Sequence, residues 1–285
     1  RPVTTAMPST MTAAPHPVPC RRAATDSFRP AKHPLYQKGA YYSLDLSSVF
    51  AARPILEIQE PPRAILDLCA SPGGKAIFAW KAFNPELLAC NETVKKRTGS
   101  LIGNLERCHI ERSLVWTADP SVWAKRYPAS FDLVIVDAPC SGQSLLAKGD
   151  HAPDCFLPSM IDMCVGRQRR IAGNAFKCLR PGGHMLYSTC TYSEKEDEKI
   201  IAWLIEEYTE LEPVARTSGS HMCCPASFSV IRPFRGVSHP SSAVHSMATL
   251  RMPSDRISRA IHSTASRLAG EPPGRQPSGV SPNSV

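Results

Sequence analysis

The segment Ala64-Ile65-Leu66-Asp67-Leu68-Cys69-Ala70-Ser71-Pro72-Gly73-Gly74-Lys75 decides the fold. Its first half, Ala64–Cys69, is an apolar run of strand length. Its second half is a turn built on a proline and two glycines, and Lys75–Phe83 continues at helical spacing. A strand that passes through a glycine turn into a helix brings backbone N–H groups close to a ligand at the helix N-terminus. Downstream the pattern repeats. Strands are expected at Leu87–Asn91, Leu114–Thr117, Phe131–Val136 and His184–Ser188. Helices are expected at Val94–Cys108, at Ser159–Leu179 with Ser159 as cap, and at Glu194–Tyr208. For the last of these, Ser193 as N-cap with Glu196 three residues on reads as a capping box. Strands alternating with helices predict an α/β fold, a parallel sheet covered on both faces.

The flanks read differently. Residues 1–32 are rich in Pro, Thr, Ala and Arg without apolar period, and read as a disordered arm or the remnant of an upstream domain. Gly39–Tyr42 and Leu44–Phe50 read as a strand or turn leading to a short helix. From residue 233 to 285 a basic Ser/Pro-rich tail is expected, disordered except for a weak apolar stretch at Ala243–Met252 that reads as one more strand. The chain of 285 residues, 42% hydrophobic, is long enough for one large domain with appendages. It begins with Arg1 rather than Met, which reads as a fragment. No apolar run is long enough to span a bilayer, and the N-terminus carries no signal-peptide apolar region.

The net charge of +8 is the kind that attracts nucleic acid, and its distribution qualifies it. Residues 1–33 hold five basic and one acidic residue, and 216–285 hold eight and two. The middle, 34–215, holds twenty basic and twenty-two acidic residues. The basic excess therefore sits in the tails, where it supports affinity for RNA. The cluster Arg167–Arg170 has the composition of a solvated helix face. Eleven cysteines, an odd number without disulfide-framework spacing, point to a reducing, cytoplasmic compartment. No CxxC pair is present, so no metal site is expected.

The chemistry is read at the ends of the strands, where ligands of a parallel sheet bind. Seventeen residues after Lys75, Glu92 ends the second strand, in the position that holds a ribose hydroxyl pair. The glycine loop with Glu92 favours an adenosine-containing cofactor over an ordinary strand–turn–helix. Asp119, after the third strand, is placed to accept from an adenine amino group, or simply to form an Asp-Pro turn with Pro120. Two cysteines follow the next two strands, in Asp137-Ala-Pro-Cys140-Ser-Gly142 and Ser188-Thr-Cys190-Thr-Tyr192. Most cysteines here read as small buried residues. Cys140 and Cys190 stand instead in polar, turn-rich sequence at the ligand edge, where a thiolate of lowered pKa is a nucleophile. Lys75 and the start of the following helix offer the positive charge.

With these motifs the sequence resembles the Sun/Nop family of RNA cytosine-5 methyltransferases, over His33 to Arg232. The resemblance rests on Gly39-Ala-Tyr-Tyr42, Ser47-Ser48, Asp67–Lys75, Asn91-Glu92, Arg97, Asn104, Arg107, Asp137–Gly142, Gln168 and Pro181–Gly183 leading to Tyr187–Cys190. The paired Pro-Cys and Thr-Cys motifs are highly specific, whereas DNA cytosine-5 methyltransferases share only Pro-Cys. The resemblance implies a class I methyltransferase fold, Rossmann-like, over residues 33–232, with S-adenosylmethionine as cofactor. Cys69, Ala70, Ser71, Pro72, Gly73, Gly74 and Lys75 would wrap its methionine part, Glu92 the ribose and Asp119 the adenine, with Arg97 and Asp137 in the same binding set. It further implies Cys190 as nucleophile, Cys140 as the residue that aids product release, and Asp137 on the base edge. The acceptor implied is cytosine in single-stranded or loop regions of ribosomal or transfer RNA; the sequence does not fix the oligomeric state, and a monomer is favoured. The family's upstream RNA-binding domain and its closing Gly-Phe-Phe strand are not matched, so the chain reads as a truncated or frameshifted member. Two rival readings are an RNA-binding or assembly remnant and a methyltransferase with a non-RNA acceptor.

Overall fold

The computed structural model describes residues 30–148, 153–214 and 246–251. These lie in the compact unit Arg1–Pro253, and the second unit, Ser254–Val285, falls outside the described residues, as do residues 1–29 of the arm read at 1–32, whose last three residues, Pro30–Lys32, form a 3-10 helix. Two short helices, α1 (Pro34–Gln37) and α2 (Leu46–Ala52), precede the sheet. There follow β1 (Ala64–Asp67), α3 (Gly74–Phe83), β2 (Leu87–Asn91), α4 (Lys95–Arg107) and β3 (Ser113–Trp116). The chain continues through α5 (Pro120–Arg126), β4 (Phe131–Asp137), α6 (Pro158–Cys178), β5 (Leu179–Thr189), α7 (Glu198–Glu207), β6 (Glu212–Pro213) and β7 (Ser246–Arg251).

The seven strands order as β3-β2-β1-β4-β5-β7-β6. All pairings from β3 to β5 are parallel, and β7 runs antiparallel to β5 and β6. The expected α/β sheet is therefore present. Its strands are near-continuous apolar runs because both faces are covered. Successive side chains go to opposite faces. Leu66, Val134, Val136, Met185 and Tyr187 pack with α5, α6 and α7 through Trp123, Ile171 and Ile200. Ile65, Leu133, Ile135 and Leu186 pack with α3 and α4 through Ala76, Trp80, Leu101 and Leu105.

Several boundaries differ from expectation for physical reasons. Helix α6 opens with Pro158 in its first turn, where proline's missing N–H costs nothing, so Ser159 lies inside the helix and does not cap it. Strand β5 begins at Leu179 and runs through Pro181–Gly183, because Leu179 already pairs with Phe131 across a register shift. Helix α5 is unforeseen: Asp119 caps it and Pro120 occupies its first turn. Residues 39–42 form no strand, and Asp45 caps α2 by accepting from Ser48 N at 2.7 Å. Helix α7 begins at Glu198 instead of Glu194, so the Ser193–Glu196 capping box does not form. β7 falls inside the stretch read as a tail. At 246–251 that broad reading gives way to the narrower one of a strand within Ala243–Met252, since β5 pairs with it over six residues.

Candidate active site

The topology brings three strand ends to one edge. β1 lies between β2 and β4, where the strand order reverses, and this is where a parallel sheet opens a crevice. Asp67 at the end of β1 pairs in register with Ile135, two residues before Asp137, and Asp137 pairs with Ser188 of β5. The loops after these strands carry the glycine turn, Cys140 and Cys190.

The glycine turn is held tightly. Gly73 has φ +111°, a left-handed value natural to glycine, and its N–H donates to Ala70 O at 2.6 Å. Gly74 opens α3, and a Cβ there would come within 2.6 Å of the Leu44 side chain. Asn104 donates to Pro72 O at 2.8 Å, and Ala70 N donates to Asn91 O at 2.9 Å. Asn91, fully buried, also accepts from Ala118 N at 3.1 Å and Trp123 Nε1 at 2.8 Å, and donates to Leu68 O at 3.2 Å. It ties the first loop to the third and to α5. Sequence reasoning quoted Asn91 only as part of a motif. A buried asparagine beside a tryptophan at a strand end was the available signal.

Lys75 Nζ pairs with Asp137 Oδ2 at 2.7 Å, and Ser188 Oγ donates to Asp137 Oδ1 at 2.7 Å. Lys75 sits in the first turn of α3, where the helix dipole disfavours a cation. Its carboxylate partner offsets that. Asp67 is 1% exposed, and its carboxyl is pushed up to about 7, first by burial and then by the charge of Asp137. Sequence reasoning assigned Asp67 no role.

The two predicted cysteines meet. Cys140 Sγ and Cys190 Sγ are 3.2 Å apart, both half-buried. The Cys190 thiol is lowered to about 7, chiefly because Cys140 hydrogen-bonds to it, with help from Ser144 and Lys75 against burial and the Asp137 charge. Cys140 is correspondingly raised, as the thiol that keeps its proton. The Cys69 thiol is held far above its ordinary value by burial, which leaves it inert as a nucleophile.

Asp67, Cys69, Lys75, Asp137 and Cys190 line one cavity, together with Tyr42 and Ser48 from the N-terminal segment. Gly73, Glu92, Arg97, Asp119 and Cys140 are not among its lining residues, and Cys140 adjoins the cavity through Cys190. Glu92 is buried, accepting from Val94 N at 2.8 Å and pairing with Arg97 at 3.3 Å, and Arg97 in turn donates to Ser71 O at 2.8 Å. Ser71 returns a bond to Arg97 O at 3.0 Å, so the ribose candidate is coupled to the glycine turn. Asp119 is exposed and committed to its helix, accepting from Ser121 N and Oγ. That pairing, made through Oδ1, matches the Asp-Pro turn reading. The cluster Arg167–Arg170 is a helix face: Arg169 stacks on Trp203 at 5.4 Å and Arg170 lies 3.7 Å from Asp119. Among the described residues no helix is long and apolar enough to cross a membrane.

Comparison with known proteins follows the same lines. The family model described as 16S rRNA methyltransferase RsmB/F matches residues 54–227. The Ribosomal RNA small subunit methyltransferase F of Escherichia coli O139:H28 is 31% identical over 173 residues, 60% of this chain and 36% of the relative. The chain thus spans about a third of that relative's length. Two solved structures from Pyrococcus horikoshii share the fold. A methyltransferase homolog protein has a TM-score of 0.63 at 21% identity, covering 79% of this chain and 72% of the other. NSun6, solved with SFG, has 0.61 at 23% identity, covering 78% and 56%.

Proposed function

We propose that this chain, which belongs to the RsmB/F family of 16S rRNA methyltransferases, methylates C5 of cytosine in RNA through a covalent bond between Cys190 and C6 of the base. The observation that carries this reading is the pair of thiols 3.2 Å apart, of which Cys190 lines the cavity beside the glycine turn. A methyltransferase acting on oxygen or on an exocyclic nitrogen has no need of two adjacent cysteines. The proposed catalytic unit is residues 33–232 together with β7.

The residues suit S-adenosylmethionine. The turn 69–75 presents backbone donors at the start of α3, with two glycines keeping its surface low. Glu92, braced by Arg97, is the ribose acceptor in this reading, and Asp119 with its helix cap is the adenine end. When bound, the cofactor supplies an electrophilic methyl group on a sulfonium.

The protein's part is to make C5 of cytosine nucleophilic. The Cys190 thiolate adds to C6, and the electron pair of the C5–C6 bond moves toward C5, which becomes enamine-like. Asp137, held by Lys75 and Ser188, accepts from the N4 edge of the base and fixes its orientation. C5 takes the methyl group, the bond from that methyl to sulfur breaks with its electron pair left on the departing thioether, and C5 becomes tetrahedral. Its proton then leaves to a base, and the returning electron pair expels Cys190 from C6. Cys140, protonated and in contact with Cys190, is placed to act in this elimination. The base must leave its stack to enter the cavity, which favours loops and single strands of RNA.

The test is incubation of the protein with RNA and methyl-labelled S-adenosylmethionine, followed by nucleoside analysis. Label in 5-methylcytidine supports the reading. Label in another nucleoside, or in protein, overturns it. RNA binding with no label from a folded, cofactor-binding chain supports the RNA-binding remnant instead.

A further inference from the structure

Glu196 does not cap a helix. Its N–H donates to Ser193 O at 2.9 Å, α7 starts two residues later, and its side chain is fully buried. Four hydrogen-bonding groups surround the carboxylate. Oε1 accepts from Ser141 Oγ at 2.6 Å, and Thr191 Oγ1, 3.4 Å from Oε1, lies closer to Ser141 Oγ at 2.9 Å, to which it can donate. Oε2 accepts from Ser141 N at 2.9 Å and from Gln168 Nε2 at 3.0 Å. Gln168 Nε2 also donates to Pro139 O at 3.2 Å. Among the described residues no ion pair reaches Glu196. A buried carboxylate without a cation persists only when donors satisfy its lone pairs, and here they come from three separate segments.

Two of these segments adjoin a thiol, and Gln168 of α6 reaches one of them through Pro139 O. Pro139 precedes Cys140 and Ser141 follows it, while Thr191 follows Cys190. The neighbouring Asp197 accepts from Thr189 Oγ1, on the other side of Cys190. None of these groups is bonded to either Sγ. We infer that Glu196 is a positioning residue that fixes the distance between the Cys140 and Cys190 thiols, by joining the loop after β4 to the segment after β5. The inference deepens the proposed function and rests on its claim that both thiols act at one base.

The chemistry of the donors sets the test. In Glu196→Gln, the amide oxygen can take the Oε2 place and keep Ser141 N and Gln168. Its NH₂ then faces two hydroxyls, which rotate to accept. Glu196→Ala takes the carboxylate acceptor from Ser141 N, Ser141 Oγ and Gln168 Nε2. The readout is the rate at which diamide joins Cys140 to Cys190. Two S–H bonds break, one S–S bond forms, and the N=N bond of diamide is reduced to the hydrazine. Quenching with N-ethylmaleimide and peptide mass spectrometry follow that one disulfide in the full chain. The measurement needs neither RNA nor methyl transfer, so it stands apart from failure of the proposed function.

Glu196→Gln is expected to close the disulfide near the wild-type rate, and Glu196→Ala roughly tenfold or more slowly, since displacements of an ångström have effects of this size or larger. A folded Glu196→Ala that closes at the wild-type rate overturns the inference, even if its melting temperature falls. So does Glu196→Gln as slow as Glu196→Ala, which would make charge rather than the hydrogen-bond frame decisive. If Glu196→Ala does not fold, Ser141→Ala with Thr191→Val decides. It removes both hydroxyl donors but keeps the backbone N–H, and is expected to slow closure about threefold or more, with an unchanged rate refuting the assignment.

Discussion

Lys75 Nζ lies 2.7 Å from Asp137 Oδ2, the lysine side chain 6% exposed and the aspartate 34%. This pair links the glycine loop to the end of β4, and its two charges act on Cys190 in opposite directions. Replacing Lys75 by Met removes a cation that favours the thiolate and leaves Asp137 to oppose it. The pH midpoint for alkylation of Cys190 by iodoacetamide, expected at about 7 in the wild type, should rise. Asp137→Asn removes the opposing charge and should lower it. Peptide mass spectrometry of alkylated Cys190 across pH gives both midpoints; a shift in the same direction for the two variants contradicts the arrangement.

Asp67 gives the fold a pH dependence of definite sign. Its folded carboxyl is raised from 3.8 to about 7 by burial and by Asp137. Between those values the folded chain binds more protons at this site than the unfolded chain, so stability falls as pH rises. The contribution is fully present below about pH 4 and lost above about pH 7, on the order of a few kcal/mol. In Asp67→Asn this slope should vanish. Urea unfolding of both proteins at pH 5 and pH 8 measures it, and an equal slope in the variant would rule Asp67 out as its source.

Asn91 is a structural joint within the site. Asn91→Ala strands the N–H groups of Ala118 and Trp123 in buried or half-buried surroundings, together with Leu68 O. The expected loss is about 3 kcal/mol or more, from roughly 1–3 for each of the three groups left unpaired. A denaturant midpoint equal to that of the wild type would show that these bonds contribute nothing net.

Gly73→Ala tests the turn itself. At φ +111° an alanine is strained by about 1–3 kcal/mol, and its Cβ would meet Leu101 Cδ1 at 3.2 Å. A lower melting temperature and weaker binding of S-adenosylmethionine by calorimetry are expected together. Unchanged binding in the folded variant would detach the turn from the cofactor.

The sheet was legible because buried parallel strands leave unbroken apolar runs, as at Leu87–Asn91 and Phe131–Asp137. The convergence of Cys140 and Cys190 was legible for a similar reason, since both follow adjacent strand ends. What escaped was side-chain commitment. Ser193 and Glu196 have capping-box spacing, yet the fold spends Glu196 on Ser141 and Gln168, residues 55 and 28 positions away. Asp119 looked like a ligand acid and is held by Ser121, because a proline after it starts helix α5. The Lys75–Asp137 pair joins positions whose contact depends on the strand order, which spacing alone does not give.

The central claim is that Cys190 bonds to the base and Cys140 helps to release it. Its most direct test is denaturing gel electrophoresis after incubating the wild type, Cys140→Ala and Cys190→Ala with RNA and S-adenosylmethionine. Cys140→Ala should accumulate an RNA-linked band that survives denaturation and maps to Cys190. Cys190→Ala should form none, and the wild type only a trace. An adduct that persists in Cys190→Ala, or one that maps to Cys140, would contradict the account.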